Sequence, residues 1–383
     1  MNKTIHYITY QTFPADTANS IQTISNIKYL VRKGVKVKLF FPKREQQSND
    51  DIRVLKNHYD FVEEFNSEGI EHKLPFGKVK YFNKLAYLYS HFVWSRRAVN
   101  FVLRKYPKPD VFFTRSDWVY FFLSLKNQDV VFECHQLTYL RKLLVNISIK
   151  KDKSKLICLT QAIADDLTIP KLYSNKIKII PNGYDEDYFD SEYVKEKKLG
   201  NKKRVVFVGN LKRFGKSRGL NNIIDIFESE DIKERFELTI VGGPNSVAKE
   251  LKDDIEKREL QTLISVVGQQ NRRDALNIIE NSDIGVLIND RGNKHSELYT
   301  SPLKYYEYLR GKLKIVAVDF PSHRSLMFSD KIFFFDLESR ESLISALKLS
   351  SKEDTPYLEE NEIKELSLEA RVIKVTDFCF LQK

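Results

Sequence analysis

Short apolar runs alternate with longer amphipathic segments along the first half of the chain. Runs of this kind predict buried strands, here at residues 5–10, 35–41, 111–114, 130–133, 156–159 and 177–180. Helical patterns lie between the runs, the first near residues 20–32. This alternation predicts a parallel sheet with helices on both faces.

The same pattern starts again after Pro181-Asn182-Gly183, a turn signal. Charges dominate residues 184–204, which we interpret as a linker. Further apolar runs predict a second sheet, with strands at residues 205–208, 238–241, 264–267, 284–288, 315–318 and 332–335. We therefore expect an α/β protein with domains at residues 1–183 and 184–365. Residues 366–383 are compatible with a helix that crosses back to the first domain.

The net charge is unevenly distributed between the two halves. Lys and Arg exceed Asp and Glu by 63 − 52 = 11 over the 383 residues. Residues 1–180 contain 30 basic and 16 acidic side chains, whereas residues 181–383 contain 33 and 36. A basic first half favours acidic partners such as nucleic acid, anionic lipid or phosphorylated metabolites.

Cysteine spacing and hydropathy argue against several classes of protein. Cys134, Cys158 and Cys379 form no CxxC pair, which argues against a zinc ribbon or a disulfide framework. A reducing, cytoplasmic compartment fits this usage. Because no long apolar stretch occurs, the sequence predicts neither a signal peptide nor a spanning helix.

The segment from Ser301 to Glu307 is the first candidate for chemistry. Ser301 before Pro302 predicts a helix start, with Ser301 as the cap and Pro302 in the first turn. The amides of Leu303 and Lys304 would then face an anion at the positive end of the helix dipole. Glu307 could accept hydrogen bonds from two ribose hydroxyls. A capped helix with a solvated Glu307 is the alternative.

Three strand ends in the second half carry glycine. Gly209 ends one apolar run and leads into a loop whose cations could neutralise a pyrophosphate or simply be solvated; they are Lys212, Arg213, Lys216 and Arg218. Gly243 and Gly268-Gln269 follow two other runs. We expect these loops to converge with the helix start. Neither a GxGxxG nor a P-loop pattern is present.

In the first half, His135 stands at a strand end, where it could face a ligand or serve only the fold. The other histidines form no HxxxH pair, and no hydrolase elbow or zinc-deaminase pattern is present.

These motifs resemble the retaining glycosyltransferase family 4, whose GT-B fold has two Rossmann-like domains with parallel sheets facing a central cleft. The most specific block is SPLKYYEYLRGK at 301–312 followed by IVAVDFP at 315–321, which resembles the nucleotide-sugar signature. VGNL at 208–211 through Arg218-Gly219 resembles the donor phosphate loop, and PNGYD at 181–185 the inter-domain turn. FPADTANSIQ at 13–22 and KGVKV at 33–37 are similar to an acceptor-side loop.

The resemblance implies roles for single residues. Glu307 would bind the donor ribose, and the backbone near Ser301, Leu303 and Lys304 would hold the pyrophosphate or the sugar. Arg218 would contact phosphate and His135 would lie near the reacting sugar, so we predict these two as catalytic. The remaining predicted donor contacts are Gly209, Asn210, Lys212, Arg213 and Gly243, with Gly268 and Gln269 beside the base.

Three positions depart from the family pattern. The family's Glu-x7-Glu would need a glutamate where Tyr299 stands. The arginine expected near 210 is Asn210, so Lys212 or Arg213 would substitute. Thr17-Ala18-Asn19 replaces a glycine pair in the first loop.

The function implied is transfer of a sugar, with retention, from a nucleotide-diphosphate sugar to a glycan or lipid-linked hydroxyl. We expect no cofactor and no metal ion, and we interpret Asp185-Glu186-Asp187 as a solvated part of the linker. Alternatives are a nucleotide-sugar epimerase of the same fold, a basic module that binds nucleic acid or membrane, and a degenerate transferase subunit. Since no nucleic-acid-binding signature is present, we expect no nucleic-acid partner.

Residues 78–108 contain eight basic and no acidic side chains, interleaved with aromatic ones. Such a stretch can lie on an anionic membrane surface. Alternatively, its aromatic side chains could lie in the hydrophobic core and its cations on a solvated surface.

Overall fold

The computed structural model describes residues 3–44, 48–74, 83–189, 202–213, 216–352 and 357–380; for Arg213, Lys216 and Ser217 only the backbone is described. The chain forms two compact units. The first is Met1–Pro181 with Leu368–Lys383, and the second is Asn182–Ser367.

The first unit is built on a parallel sheet of seven strands in the order β3-β2-β1-β4-β5-β6-β7. Its strands are β1 (Thr4–Ile8), β2 (Lys36–Lys43), β3 (Asn66–Glu71), β4 (Val111–Thr114), β5 (Val130–Cys134), β6 (Ser154–Cys158) and β7 (Ile177–Ile179). The predicted parallel sheet is confirmed. One strand, the edge strand β3, was not predicted.

Helices follow most of these strands and begin close to their carboxyl ends. They are α1 (Ala18–Arg32), α2 (Ile52–Tyr59), α3 (Asn83–Lys105), α4 (Asp117–Leu125), α5 (Tyr139–Ser148) and α6 (Gln161–Leu167). Side-chain caps fix several starts: the hydroxyl of Thr17 accepts the amide of Ser20, and that of Ser116 accepts the amide of Val119. These caps fix where α1 and α4 begin after β1 and β4.

The second unit contains a parallel sheet of six strands in the order β12-β11-β8-β13-β14-β15, and a two-stranded ribbon of β9 and β10. The strands are β8 (Lys203–Val208), β9 (Lys212–Arg213), β10 (Lys216–Ser217), β11 (Phe236–Val241), β12 (Ile264–Gly268), β13 (Ile284–Leu287), β14 (Lys314–Val318) and β15 (Ile332–Phe335). All six predicted strands are confirmed.

The helices of the second unit cover both faces of its sheet, with separate apolar clusters on the two sides. They are α7 (Leu220–Ile226), α8 (Glu230–Arg235), α9 (Asn245–Lys257), α10 (Arg272–Glu280), α11 (Leu303–Arg310), α12 (Pro321–Arg324), α13 (Arg340–Ser350) and α14 (Glu360–Glu365). A short π-helix, His295–Tyr299, precedes α11.

The last helix, α15 (Leu368–Phe380), belongs to the first unit. It packs along α1 and contributes to the first core through Leu368, Val372, Val375, Phe378 and Cys379. This apolar face sets the position of Arg371, which lies on the same helix.

The interpretation of residues 184–204 as a linker was wrong for its described ends, although Asp187 is exposed as expected. Tyr184, Tyr188 and Phe189 are buried in a core of the second unit, and residues 203–204 already belong to β8. Asp185 is buried as well, and Glu186 pairs with Arg310 at 2.6 Å. Residues 190–201 lie outside the described part of the chain.

Candidate functional site

Three loops meet at the carboxyl edge of the second sheet, where the sequence predicted glycine-bearing strand ends. The amide of Gly209 donates to the carbonyl of Val241 at 2.9 Å, and that of Leu211 to Gly243 at 2.8 Å. The amide of Gly242 donates to Gly268, also at 2.8 Å. A Cβ atom on Gly242 would lie 1.8 Å from the carbonyl oxygen of Gly209. Glycine is therefore required for this close approach.

Arg218 lies against the loop that follows β8. Its guanidinium stands over the ring of Phe207, 5.6 Å from the centroid, and donates to the carbonyl of Asn210 at 3.4 Å. It also donates to the side-chain oxygen of Asn289, a buried residue just beyond β13. The cation is thus fixed in orientation at the ends of two neighbouring strands.

The start of α11 differs from the prediction. The helix begins at Leu303 with Pro302 in the cap position and without a side-chain cap, so the prediction that Ser301 caps it was wrong. The Ser301 hydroxyl instead contacts the hydroxyl of Tyr306 at 2.8 Å and accepts the amide of Asn182 at 3.2 Å. Ser301 therefore ties the first residue of the second unit to α11.

Glu307 is not a solvated carboxylate. It is 1% exposed and lies between the Lys304 ammonium, at 2.9 Å, and the Arg272 guanidinium, at 3.1 Å. Asn271 caps α10 and so places Arg272 in its first turn. Burial alone would raise the pKa of Glu307, but the two cations outweigh it and hold this pKa below its ordinary value. The carboxylate is ionised at neutral pH and keeps lone pairs for further donors.

Tyr308 connects Glu307 to the glycine loops. Its hydroxyl accepts the amide of Val208, at the end of β8, at 3.0 Å. Burial raises the pKa of this phenol, Glu307 raises it further, and Arg218 lowers it. Glu307 and Tyr308 are consecutive on α11, so the bond to Val208 places this turn of the helix beside the end of β8, which Arg218 also contacts through Phe207.

The other predicted donor contacts lie around these loops. Gly268 adopts a left-handed φ of 83°, and the amide of Gln269 donates to the side chain of Asn245 at 3.1 Å. Lys212 is exposed and stands 3.5 Å from Glu250. The side chain of Arg213 lies outside the described residues.

His135 belongs to the first unit, just beyond β5. Its Nε2 lies 2.5 Å from a carboxylate oxygen of the buried Glu133, and its Nδ1 lies 2.9 Å from the guanidinium of Arg115. Burial and the Arg115 charge lower the pKa of His135 to about 3, against the opposing effect of Glu133. The imidazole is therefore neutral at physiological pH.

Two family models match this chain. One, described as Glycosyltransferase Family 4, matches residues 22–188, and the other, Glycosyl transferases group 1, matches residues 190–364. The chain belongs to the family 4 glycosyltransferases. Membership makes it a retaining transferase that uses a nucleotide sugar. A search of curated proteins found no match.

Solved structures show the same fold as this glycosyltransferase at low sequence identity. A glycosyltransferase from Rickettsia africae is 14% identical, with a TM-score of 0.68 over 99% of this chain and 98% of that one. Sucrose-phosphate synthase from Thermosynechococcus elongatus is 14% identical, with a TM-score of 0.70 over 98% of both chains. The Anabaena protein HepE, in complex with UDP and glucose, is 13% identical, with a TM-score of 0.62 over 98% and 99%.

Sequence reasoning missed four side chains that hold the candidate site residues of the glycosyltransferase: Asn289, Arg272, Glu133 and Arg115. Asn289 carried a signal, because it is a polar residue directly after an apolar run. Glu133 carried another, as a carboxylate inside a buried strand needs a partner. Arg272 and Arg115 gave no such signal. No group of three His, Cys, Asp or Glu side chains that could hold a metal ion occurs within the described ranges.

Proposed function

We propose that this glycosyltransferase transfers a hexose-like sugar from a nucleotide-diphosphate donor to a hydroxyl of a glycan or lipid-linked acceptor. Such a product would serve surface polysaccharide or glycolipid synthesis in the cytoplasm. The observation that supports the proposal is the hydrogen bond from Val208 to Tyr308, which holds α11, the helix of Glu307, beside the strand end that Arg218 contacts. This arrangement suits a ribose and a diphosphate bound side by side.

The mechanism follows from the charge that develops. Negative charge grows on the leaving diphosphate while positive charge builds on the sugar. Arg218 is already held in place by Asn289 and Phe207, so it stabilises the leaving group with little reorganisation. The amides of Leu303 and Lys304 at the start of α11 add to this field. The proposal assigns neutralisation of the diphosphate to these groups and not to a metal ion.

Glu307 is the proposed ribose acceptor. The two cations beside it keep it ionised, so both oxygens can accept hydrogen bonds from hydroxyl groups in addition to their ion pairs. His135 is proposed to lie near the reacting sugar. Its neutral ring suits a place where positive charge develops, and it leaves the acceptor proton to the departing phosphate.

A donor screen tests the proposal. UDP-, GDP-, ADP- and TDP-sugars are compared by thermal shift and by turnover, and we expect one nucleotide class to stabilise the protein. At a concentration of 100 Kd the gain is about 2.7 kcal/mol, or roughly 5–10 °C in Tm. NMR of the product should show the anomeric configuration of the donor. Salt-sensitive binding to random DNA, with no response to any nucleotide sugar, would contradict the proposal and favour a nucleic-acid module.

For the acceptor side, we propose contact with an anionic membrane surface on the cytoplasmic face through residues 78–108. Leu85 and Tyr89 on α3 are 63% and 64% exposed, and Arg96, Arg97 and Arg104 on the same helix are exposed too. A groove of about 680 Å³ runs beside these cations. Some of the aromatic side chains serve the core, as Trp94 is fully buried. Residues 78–82 lie outside the described ranges, in which no helix is long and apolar enough to cross a membrane.

Vesicle binding tests this contact. The protein is expected to bind vesicles that contain anionic lipid but not neutral vesicles. Added salt should weaken this binding. The double variant Arg96→Gln/Arg97→Gln should lose about 2 kcal/mol, roughly 30-fold in affinity, because each cation near the surface contributes about 1 kcal/mol. Lys126→Gln/Lys151→Gln changes the same net charge at exposed positions outside α3 and should bind as the wild type. Equal binding to both kinds of vesicle would refute the contact.

A further inference from the structure

A buried ionic cluster surrounds His135 in the first unit. Glu133 stands at the end of β5, and one of its oxygens contacts the imidazole. The other oxygen lies 2.5 Å from the guanidinium of Arg371, on α15. Arg115, at the end of β4, completes the cluster, with its Nε 3.7 Å from Glu133. The elements β4, β5 and α15 thus bring charged groups into one small volume.

The partners of His135 leave one tautomer for its ring. An ionised carboxylate can only accept, so Nε2 carries the proton that faces Glu133. A guanidinium can only donate, so Nδ1 is unprotonated and faces Arg115. Both ring nitrogens are therefore committed to the protein, and the ring cannot take up a proton without losing the contact to Arg115.

The contacts of Arg371 reach farthest along the sequence of any in the cluster. It is 3% exposed. Besides Glu133 it donates to the side-chain oxygen of Asn26 on α1 at 2.6 Å and to the carbonyl of Pro181 at 2.8 Å. Its three contacts join the last helix to α1, to β5 and to the final residue of the first unit before the chain enters the second.

The charge on Glu133 depends on the two guanidinium groups near it and on the imidazole N–H that donates to it. Burial alone would raise its pKa, yet Arg371, His135 and Arg115 together hold this pKa well below the ordinary value. Tyr7 on β1 also faces the cluster, and burial raises its pKa, so it stays a neutral phenol. Without Arg371, one fewer cation would compensate the buried carboxylate.

We propose that Arg371 is a positioning residue for sugar transfer: through Glu133 it fixes the orientation and tautomer of His135. This rests on the proposed function, in which His135 lies near the reacting sugar. The last helix therefore contributes to the reaction through charge as well as through its apolar face. A second consequence is that His135 does not act as a general acid or base.

The test compares Arg371→Met, Arg371→Lys and Glu133→Gln with Lys374→Met, which removes one exposed cation from the same helix. Nitrogen NMR of the His135 ring reports its tautomer and its protonation, and needs no enzymatic activity. Steady-state kinetics with the donor found in the screen give kcat and KM separately. The Glu133→Gln variant keeps the shape of the side chain, but its single oxygen can serve His135 or Arg371 and not both.

In the wild type we expect a neutral ring with the proton on Nε2 from pH 5 to pH 8. The pH profile of kcat should then show no change caused by titration of His135. Arg371→Met should let His135 titrate at higher pH, because Arg371 opposes its protonation and Glu133 favours it. Glu133→Gln should give a mixture of tautomers, because the amide can also present its NH2 group to Nε2 and so compete with the tautomer that Arg115 favours. Both should lower kcat about tenfold with donor KM within twofold, and Arg371→Lys should recover part of the loss.

Wild-type ring signals in both Arg371→Met and Glu133→Gln would overturn the proposal, as would an equal loss of kcat in Arg371→Met and Lys374→Met. If Arg371→Met does not fold, Glu133→Gln decides. If the wild type transfers no sugar, the proposed function fails, while the ring signals still report whether Arg371 and Glu133 fix His135.

Discussion

Replacing Arg218 with methionine is expected to lower kcat/KM for the sugar donor about 100- to 1,000-fold, with the loss mainly in kcat. The guanidinium contributes most in the transition state, where the diphosphate carries its greatest charge. Methionine has a similar length and keeps the apolar contact with Phe207, so the fold should survive. Arg218→Lys should fall between the two, because it retains the charge but loses the planar donor geometry that contacts Asn289.

Arg235→Met is the matched control for this prediction. It removes the same charge from an exposed position on α8, where Arg235 stands 3.7 Å from Asp231. Its activity should stay near that of the wild type, since exposed ion pairs contribute little. If Arg218→Met turned over the donor at a rate within threefold of this control, Arg218 would not be the group that stabilises the leaving diphosphate.

The fold could be predicted because its sheet strands, apart from β3, are rich in apolar residues. Predicted runs such as β4, β5 and β14 are buried along their whole length, as expected for strands of a parallel sheet covered by helices. β3 escaped prediction because it contains no apolar run: Ile70 is its one apolar side chain, and this side chain is buried. Its pairing with β2 depends on backbone hydrogen bonds, and these leave no trace in the side-chain pattern.

Two local errors have a common cause. Residues 184–189 contain enough acidic side chains to resemble a linker, yet Tyr184, Tyr188 and Phe189 outweigh them by packing into the core. Ser301 has the residue type of a helix cap, but its hydroxyl is used by Tyr306 and Asn182. In both places tertiary contacts override a local preference that the sequence expresses correctly.

The candidate site could be predicted only as far as single positions. Strand-end glycines and Glu307 are visible in the sequence because their residue types are unusual where they stand. Their partners are not visible, since Arg218 meets Asn289 across 71 positions and Arg371 meets Glu133 across 238. Such pairs depend on the order of the strands in the sheet, and no local sequence pattern determines that order.

Glu307→Gln is expected to weaken both the donor site and the second unit. An amide cannot neutralise Lys304 and Arg272, and breaking a buried ionic cluster costs about 3 kcal/mol, or roughly 6–12 °C in Tm. Loss of a charged acceptor for the ribose hydroxyls should raise donor KM about 10- to 100-fold. A donor without the 2′ and 3′ hydroxyls separates the two effects: the wild type should discriminate against it, and Glu307→Gln should not.

The pH dependence of this destabilisation follows from the lowered pKa of Glu307. A carboxyl whose pKa is lower in the folded than in the unfolded chain stabilises the fold above the unfolded value, here 4.5, and loses that contribution as the pH falls through the folded value. The stability difference between wild type and Glu307→Gln should therefore be constant from pH 6 to pH 8 and shrink only below about pH 4.5. Glu230→Gln, which removes an exposed carboxylate paired with Lys233, should change the free energy of unfolding by less than about 1 kcal/mol throughout. Equal effects of the two substitutions at pH 7 would mean that Glu307 is not held as a buried carboxylate between Lys304 and Arg272.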